Sequence, residues 1–213
     1  MVTTVESARD LGVVGSQLTM SANVSSTCRS VYYQLRQLRS VIRSLSVNAA
    51  KTAVQAFVST RLDYCNSLMY SIADGLMQRL QEVQNAATRL ITGARRRDHI
   101  SPALRQRHWL PVRQRVQFKL AVLVFKALHG LAPQCLTDDC QLVSAAARRQ
   151  LRSSDAVTCV VPRTRTCLGD RAFGVAGPRL WNALPISLRQ SDLSLRQFRR
   201  ALKTHLFDCV CRA

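Results

Sequence analysis

Apolar side chains recur every three or four residues along the first ninety positions, a spacing that predicts helices packed through one face. Val24, Cys28, Val31, Leu35, Leu38, Ile42 and Leu45 form the first stripe, with Ser21 as a candidate N-cap. A second stripe, Val54, Phe57, Val58, Leu62, Cys65 and Leu68/Met69, predicts one helix over about 47–70. The third has Asp74 as a candidate cap, carries Leu76, Leu80, Val83, Ala87 and Leu90, and stops at Gly93, where a left-handed residue closes a helix. Short connectors force sequential helices to run antiparallel, so residues 21–93 read as an antiparallel helical bundle. Ahead of it, Asp10-Leu11-Gly12-Val13-Val14-Gly15 has the β-branched, glycine-punctuated character of a short strand or hairpin, which sets residues 1–20 apart.

The pattern changes after Gly93. Residues 94–140 open with a basic elbow, Arg95-Arg96-Arg97-Asp98-His99, and Ser101-Pro102 then starts a short helix. His108-Trp109-Leu110-Pro111 breaks it. A long helix over Val112–His129 follows, with Val116, Leu120, Leu123, Val124 and Leu128 on its apolar face and Gly130 as its stop. In residues 141–213, Ala145–Ser154 reads as a linker or exposed loop, and Val157–Val161 and Arg163–Cys167 as two short β-prone runs joined at Pro162 into a small hairpin. Two helices, Arg171–Asn182 and Ser194–Phe207, complete the chain. Trp109 and Trp181 lie beside Leu and near Pro, which predicts core burial for both. The expected fold class is mainly α: a helical bundle, then a basic α region with a small β-hairpin.

Charge adds a functional direction. The 213 residues hold 31 Lys+Arg against 12 Asp+Glu, a net charge of +19, and only Lys51, Lys119, Lys126 and Lys203 are lysines. Residues 1–92 carry nine basic and five acidic side chains; residues 93–213 carry 22 and seven. Arginine presents a planar fork that fits phosphate, so the balance points to a polyanion and excludes an acidic or charge-balanced chain. Seven arginines fall within Arg95–Arg115, interrupted by Asp98 alone among acids. Arg113 and Arg115 open the long helix, where a phosphate would meet free N–H groups as well as guanidinium groups. The expected nucleic-acid-binding residues are Arg95, Arg96, Arg97, Arg113, Arg115, Lys119, Arg148, Arg149, Arg152, Arg163 and Arg165, with His108 and the tryptophans as possible stacking surfaces.

Catalytic and metal chemistry find little support. The eight cysteines form no Cys-x-x-Cys pair and no finger spacing with His99, His108, His129 or His205, so they read as reduced core or surface residues. Asp138 and Asp139 are adjacent in a loop, whereas two-metal chemistry needs carboxylates from separate rigid elements. There is no Gly-rich phosphate loop and no Gly-x-Ser-x-Gly elbow. Asp63-Tyr64-Cys65 resembles a triad fragment but lies in a helical stripe, where Tyr64 and Cys65 read as packing residues. No signal peptide opens the chain and the apolar run Val116–Leu128 is too short to span a bilayer, so a soluble intracellular protein without membrane partners is expected.

Eight motifs occur in one order. They are Arg61-Leu62-Asp63-Tyr64-Cys65-Asn66-Ser67-Leu68, Leu80-Gln81-Glu82-Val83-Gln84-Asn85-Ala86-Ala87, Asp98-His99-Ile100 and His108-Trp109-Leu110-Pro111-Val112. Phe125-Lys126-Ala127-Leu128-His129-Gly130, Val161-Pro162-Arg163-Thr164-Arg165, Gly169-Asp170-Arg171-Ala172-Phe173 and Leu180-Trp181-Asn182-Ala183-Leu184-Pro185 follow. Together they resemble the C-terminal part of the reverse transcriptase of non-LTR (LINE-type) retrotransposons, over nearly the whole chain. The resemblance implies that Leu11-Gly12 ends a palm in a primer-grip hairpin and that residues 21–93 form a thumb gripping RNA and DNA. It also implies that the basic remainder assists nucleic-acid handling. The family's Tyr-x-Asp-Asp hairpin and the carboxylates that hold its Mg have no match here. The expectation is therefore a fragment without its palm, not an enzyme on its own, that binds RNA and DNA by backbone contacts and holds no cofactor. A helical protein–protein interaction module and a non-functional translated remnant are the alternatives.

Overall fold

A computed structural model describes residues 8–10, 13–15, 20–144 and 157–211. The chain is mainly helical, as the periodicity predicts, and divides into two compact units, Met1–Arg115 and Val116–Ala213.

The first unit opens with β1 (Ala8–Asp10) and β2 (Val13–Gly15), antiparallel with Arg9 opposite Val14. Leu11-Gly12 falls outside the described residues. Helix α1 (Ser21–Val41) buries Val24, Cys28, Val31, Leu35 and Leu38, a 4-3-4-3 spacing that keeps one seam facing its partner. Met20, not Ser21, occupies the N-cap position, and Ile42 and Leu45 lie beyond the helix, outside the core. The partner is α4 (Asp74–Thr92), whose buried Met77, Leu80, Val83 and Ala87 supply the facing stripe. Gly93 closes α4 at φ +69°, and its N–H donates to the Arg89 carbonyl. A side chain would be strained at that φ.

Between these helices the predicted single helix over 47–70 is interrupted. The Ser46 hydroxyl caps α2 (Val47–Val54) by accepting the Ala49 N–H. Gln55–Ser59 forms one π turn, closed by the Thr60 N–H on the Gln55 carbonyl, and α3 (Thr60–Asp63) follows. The wider turn shifts the phase of the stripe, so Val58 is buried while Phe57 is 44% exposed. Tyr64 is extended and exposed, and Cys65 adopts φ +49°, so this pair terminates the helix rather than packing along it.

The unit's last part is held by side-chain amides. Helix α5 (Ser101–Gln106) carries Pro102 in its first turn, and the Gln84 Nε2 donates to the Leu110 carbonyl at 2.9 Å. The Gln81 Oε1 accepts the Val112 N–H at 2.8 Å, at the start of α6 (Val112–Leu128). These bonds explain why the unit extends to Arg115 instead of ending at Gly93.

The second unit takes α6 from Val116 onward. Gly130, at φ +67°, follows the end of the helix, and α7 (Gln134–Asp138) comes next. Val157–Val161 pairs with Gln141–Val143 rather than with Arg163–Cys167: the Val143 N–H donates to Thr158 and the Val160 N–H to Gln141. The expected hairpin across Pro162 is not formed among the described residues. The reason is α8 (Phe173–Ala183), whose Asn182 side chain bonds both backbone groups of Cys159 as a neighbouring strand would, at 2.9 and 2.8 Å. Trp181 Nε1 donates to the Val157 carbonyl. Helix α9 (Leu195–Cys211) begins with a Ser194–Gln197 capping box, and its Phe198 stacks on Phe125 with centroids 4.3 Å apart. Trp181 and His129 complete this aromatic core. Helix α8 packs close to α6 at Gly177, where a Cβ would lie 2.8 Å from Val124 Cγ2.

Burial sets thiol chemistry in this unit. It pushes the Cys140 thiol up to about 11, helped by Asp139, and the Cys159 thiol up to about 12, helped by Cys140. Exposed thiols at Cys135, Cys167 and Cys209 will therefore react with iodoacetamide at pH 8, whereas Cys140 and Cys159 will wait for unfolding. Because both buried thiols stay protonated in the fold and ionise near 9 when unfolded, their contribution to stability is full below pH 9. It is lost as pH rises to 11–12. Urea unfolding at pH 8 and 10.5 will show that loss, and C140A/C159A will flatten it.

Candidate nucleic-acid interface

The arginines predicted at the start of α6 are engaged by the protein. Arg115 donates its Nε to the Leu110 carbonyl and its Nη1 to both Asp63 oxygens, at 2.8 and 3.0 Å, with its side chain only 11% exposed. Arg113 pairs with Asp74 at the surface. The Val112 N–H is taken by Gln81. A phosphate at this helix start would have to displace a carboxylate and an amide, so Arg115 serves the fold, tying α3 to the end of the unit. Asp63 is its counter-ion.

At the elbow, Asp98 folds the turn. Its carboxylate accepts the Arg95 N–H at 2.6 Å and its own N–H donates to the Arg95 carbonyl. The side chains of Arg95, Arg96 and Arg97 are left exposed. Arg96 alone of the three lines a groove of about 1090 Å³ between the C-terminal halves of α1 and α4. Four more arginines line it: Arg36, Arg39 and Arg43 from α1 and the following 3-10 turn, and Arg89 from α4. No carboxylate is among its lining residues. The Arg89 Nη2 reaches the Arg96 carbonyl at 3.4 Å, which links the groove wall to the elbow.

The sequence signal for Arg36, Arg39 and Arg43 was their spacing of three and four, which places them on one side of α1 beside Leu35 and Leu38. Charge summed over windows hides this, because residues 1–92 are the less basic half. Tyr32, 46% exposed on the same groove, adds an aromatic face. Burial and then Glu82 raise its phenol above the ordinary range, so it stays neutral at physiological pH.

Lys119, Arg163 and Arg165 are exposed in the second unit and do not line the groove. Nearby, the Thr164 hydroxyl and then Arg179 hold the Asp170 carboxyl below its usual range. Arg148, Arg149 and Arg152 lie outside the described residues. Trp181 is 1% exposed, as predicted, while Trp109 is only part-buried. Among the described residues no cluster of three or more His, Cys, Asp or Glu side chains could hold a metal ion. No helix among them is long and apolar enough to cross a membrane. In comparisons with known proteins, no family model, no curated protein and no solved structure matches this chain.

Proposed function

We propose that this chain is the thumb and following basic region of a non-LTR retrotransposon reverse transcriptase, and that it holds RNA and DNA by their phosphates. The observation that carries the binding is the convergence of Arg36, Arg39, Arg43, Arg89 and Arg96 on one groove whose lining has no carboxylate. Each guanidinium can clamp a phosphate in two-toothed fashion, and contacts to phosphate carry no base readout. The family reading rests on the eight ordered motifs. Support comes from contacts between motifs, since Gln84 and Gln81 of the second hold Leu110 and Val112 of the fourth, and Thr164 of the sixth donates to Asp170 of the seventh. Motifs that bond to one another in space form one structural set.

The experiment is a salt titration of binding to a fluorescein-labelled duplex and to a matching single strand. Each neutralised duplex phosphate contributes about −0.9 to the slope of log affinity against log salt. Five arginines therefore predict a duplex slope of about −4.5, with little dependence on sequence. A slope near zero would remove phosphate binding from the reading.

A further inference from the structure

A second concavity in the first unit has a different chemistry from the groove. About 540 Å³ of space lies between the helical segment Lys51–Ala56 and the turn that leaves α5. Lys51, Thr52 and Gln55 line one side, and Arg107, His108 and Trp109 the other. Two permanent cations thus face a space whose lining contains no carboxylate. Among the described residues neither Lys51 nor Arg107 forms an ion pair. Arg107 is part-buried, and its Nε and Nη1 have no hydrogen-bond partner among the described residues. A part-buried cation with no carboxylate beside it is a group that an anionic ligand can pair with.

The rest of the lining narrows the anion. Trp109 is part-buried on the pocket wall, offering an indole to a flat ring, and Thr52 and Gln55 can exchange hydrogen bonds with polar edges. His108 holds φ +54°, a conformation rare outside glycine, at the point where the chain turns Arg107 and Trp109 onto the same wall. A site with two cations at one ligand and an aromatic platform beside them matches a phosphate joined to a planar base.

We propose that this pocket binds a nucleotide, its phosphate between Lys51 and Arg107 and its base against Trp109. Free nucleoside monophosphate and the phosphorylated end of a strand share that chemistry. The site is separate from the groove, since the two share no lining residue, and it does not depend on the groove's role.

Tryptophan fluorescence tests it on the full chain, because Trp181 is buried and only Trp109 is placed to meet added ligand. Adenosine monophosphate, a 5′-phosphorylated tetranucleotide and its 5′-hydroxyl counterpart are titrated in turn. Saturable quenching is expected with the monophosphate or the phosphorylated strand, and it should vanish in W109F. K51Q, at an exposed position, should weaken binding about tenfold or more, and R107Q similarly if it folds. Tighter binding of the phosphorylated strand than of the monophosphate assigns the pocket to strand ends; the reverse assigns it to free nucleotide. The R36Q/R39Q/R43Q protein should keep the signal, which separates this site from the groove. No quenching by either phosphorylated ligand, or unchanged affinity in K51Q, overturns the proposal.

Discussion

R36Q/R39Q/R43Q will bind duplex on the order of a hundredfold more weakly than the unaltered protein near physiological salt, and its salt slope will be shallower by nearly 3. Three of the groove's five guanidinium groups are removed, and each stands for one released counterion. The fold should survive, because all three side chains are exposed and glutamine is about as good a helix former as arginine. Circular dichroism checks that assumption. The informative comparison is R95A/R96A/R97A, which removes the same charge from the elbow. Only Arg96 of that set lines the groove, so the slope should change by about 1 rather than by nearly 3. Equal losses in the two proteins would mean that net charge, not the groove, governs binding.

That comparison also measures what could be read from the chain without its structure. The elbow is conspicuous in sequence because three arginines are adjacent, yet adjacency scatters side chains around a turn. Helical spacing gathers them instead, and Arg36, Arg39 and Arg43 follow the same periodicity that revealed the Leu35 and Leu38 stripe. Arg89 and Arg96 could not be assigned to the groove from sequence, since their meeting depends on how the chain turns after Gly93. The ion pair of Arg115 could not be read from sequence for a related reason. Its partner Asp63 lies 52 residues earlier, at the end of α3, and only the tertiary fold brings them together.

Local structure was more legible where one rule acts alone. Gly93 and Gly130 ended or followed helices as predicted, because the left-handed conformation needs no tertiary partner. The interruption at Gln55–Ser59 was not readable, since a π turn preserves hydrophobic content and changes only phase. Val157–Val161 was correctly seen as extended, but its partner was not. Pairing choice is a non-local decision, made here by Asn182 and Gln141–Val143.

The second unit's stability should rest on its aromatic core, and F198A is the severest single test of it. Phe198 is 0% exposed, stacks on Phe125 and lies 5.8 Å from Trp181 by ring centroids. Truncation removes the transfer energy of a buried ring and leaves a cavity, a loss of about 3–5 kcal/mol. Folded domains are stable by only about 5–15 kcal/mol, so the unit should be brought close to unfolding at room temperature. Guanidinium titration in a W109F background reads the event through Trp181 alone, whose indole bonds Val157 inside the same unit. I186A, at a position 64% exposed, should shift the midpoint by no more than about 0.5 kcal/mol. A loss below 1 kcal/mol in F198A would show that Phe125, Trp181 and Phe198 are not jointly packed, because a tightly packed core cannot absorb a missing phenyl ring so cheaply.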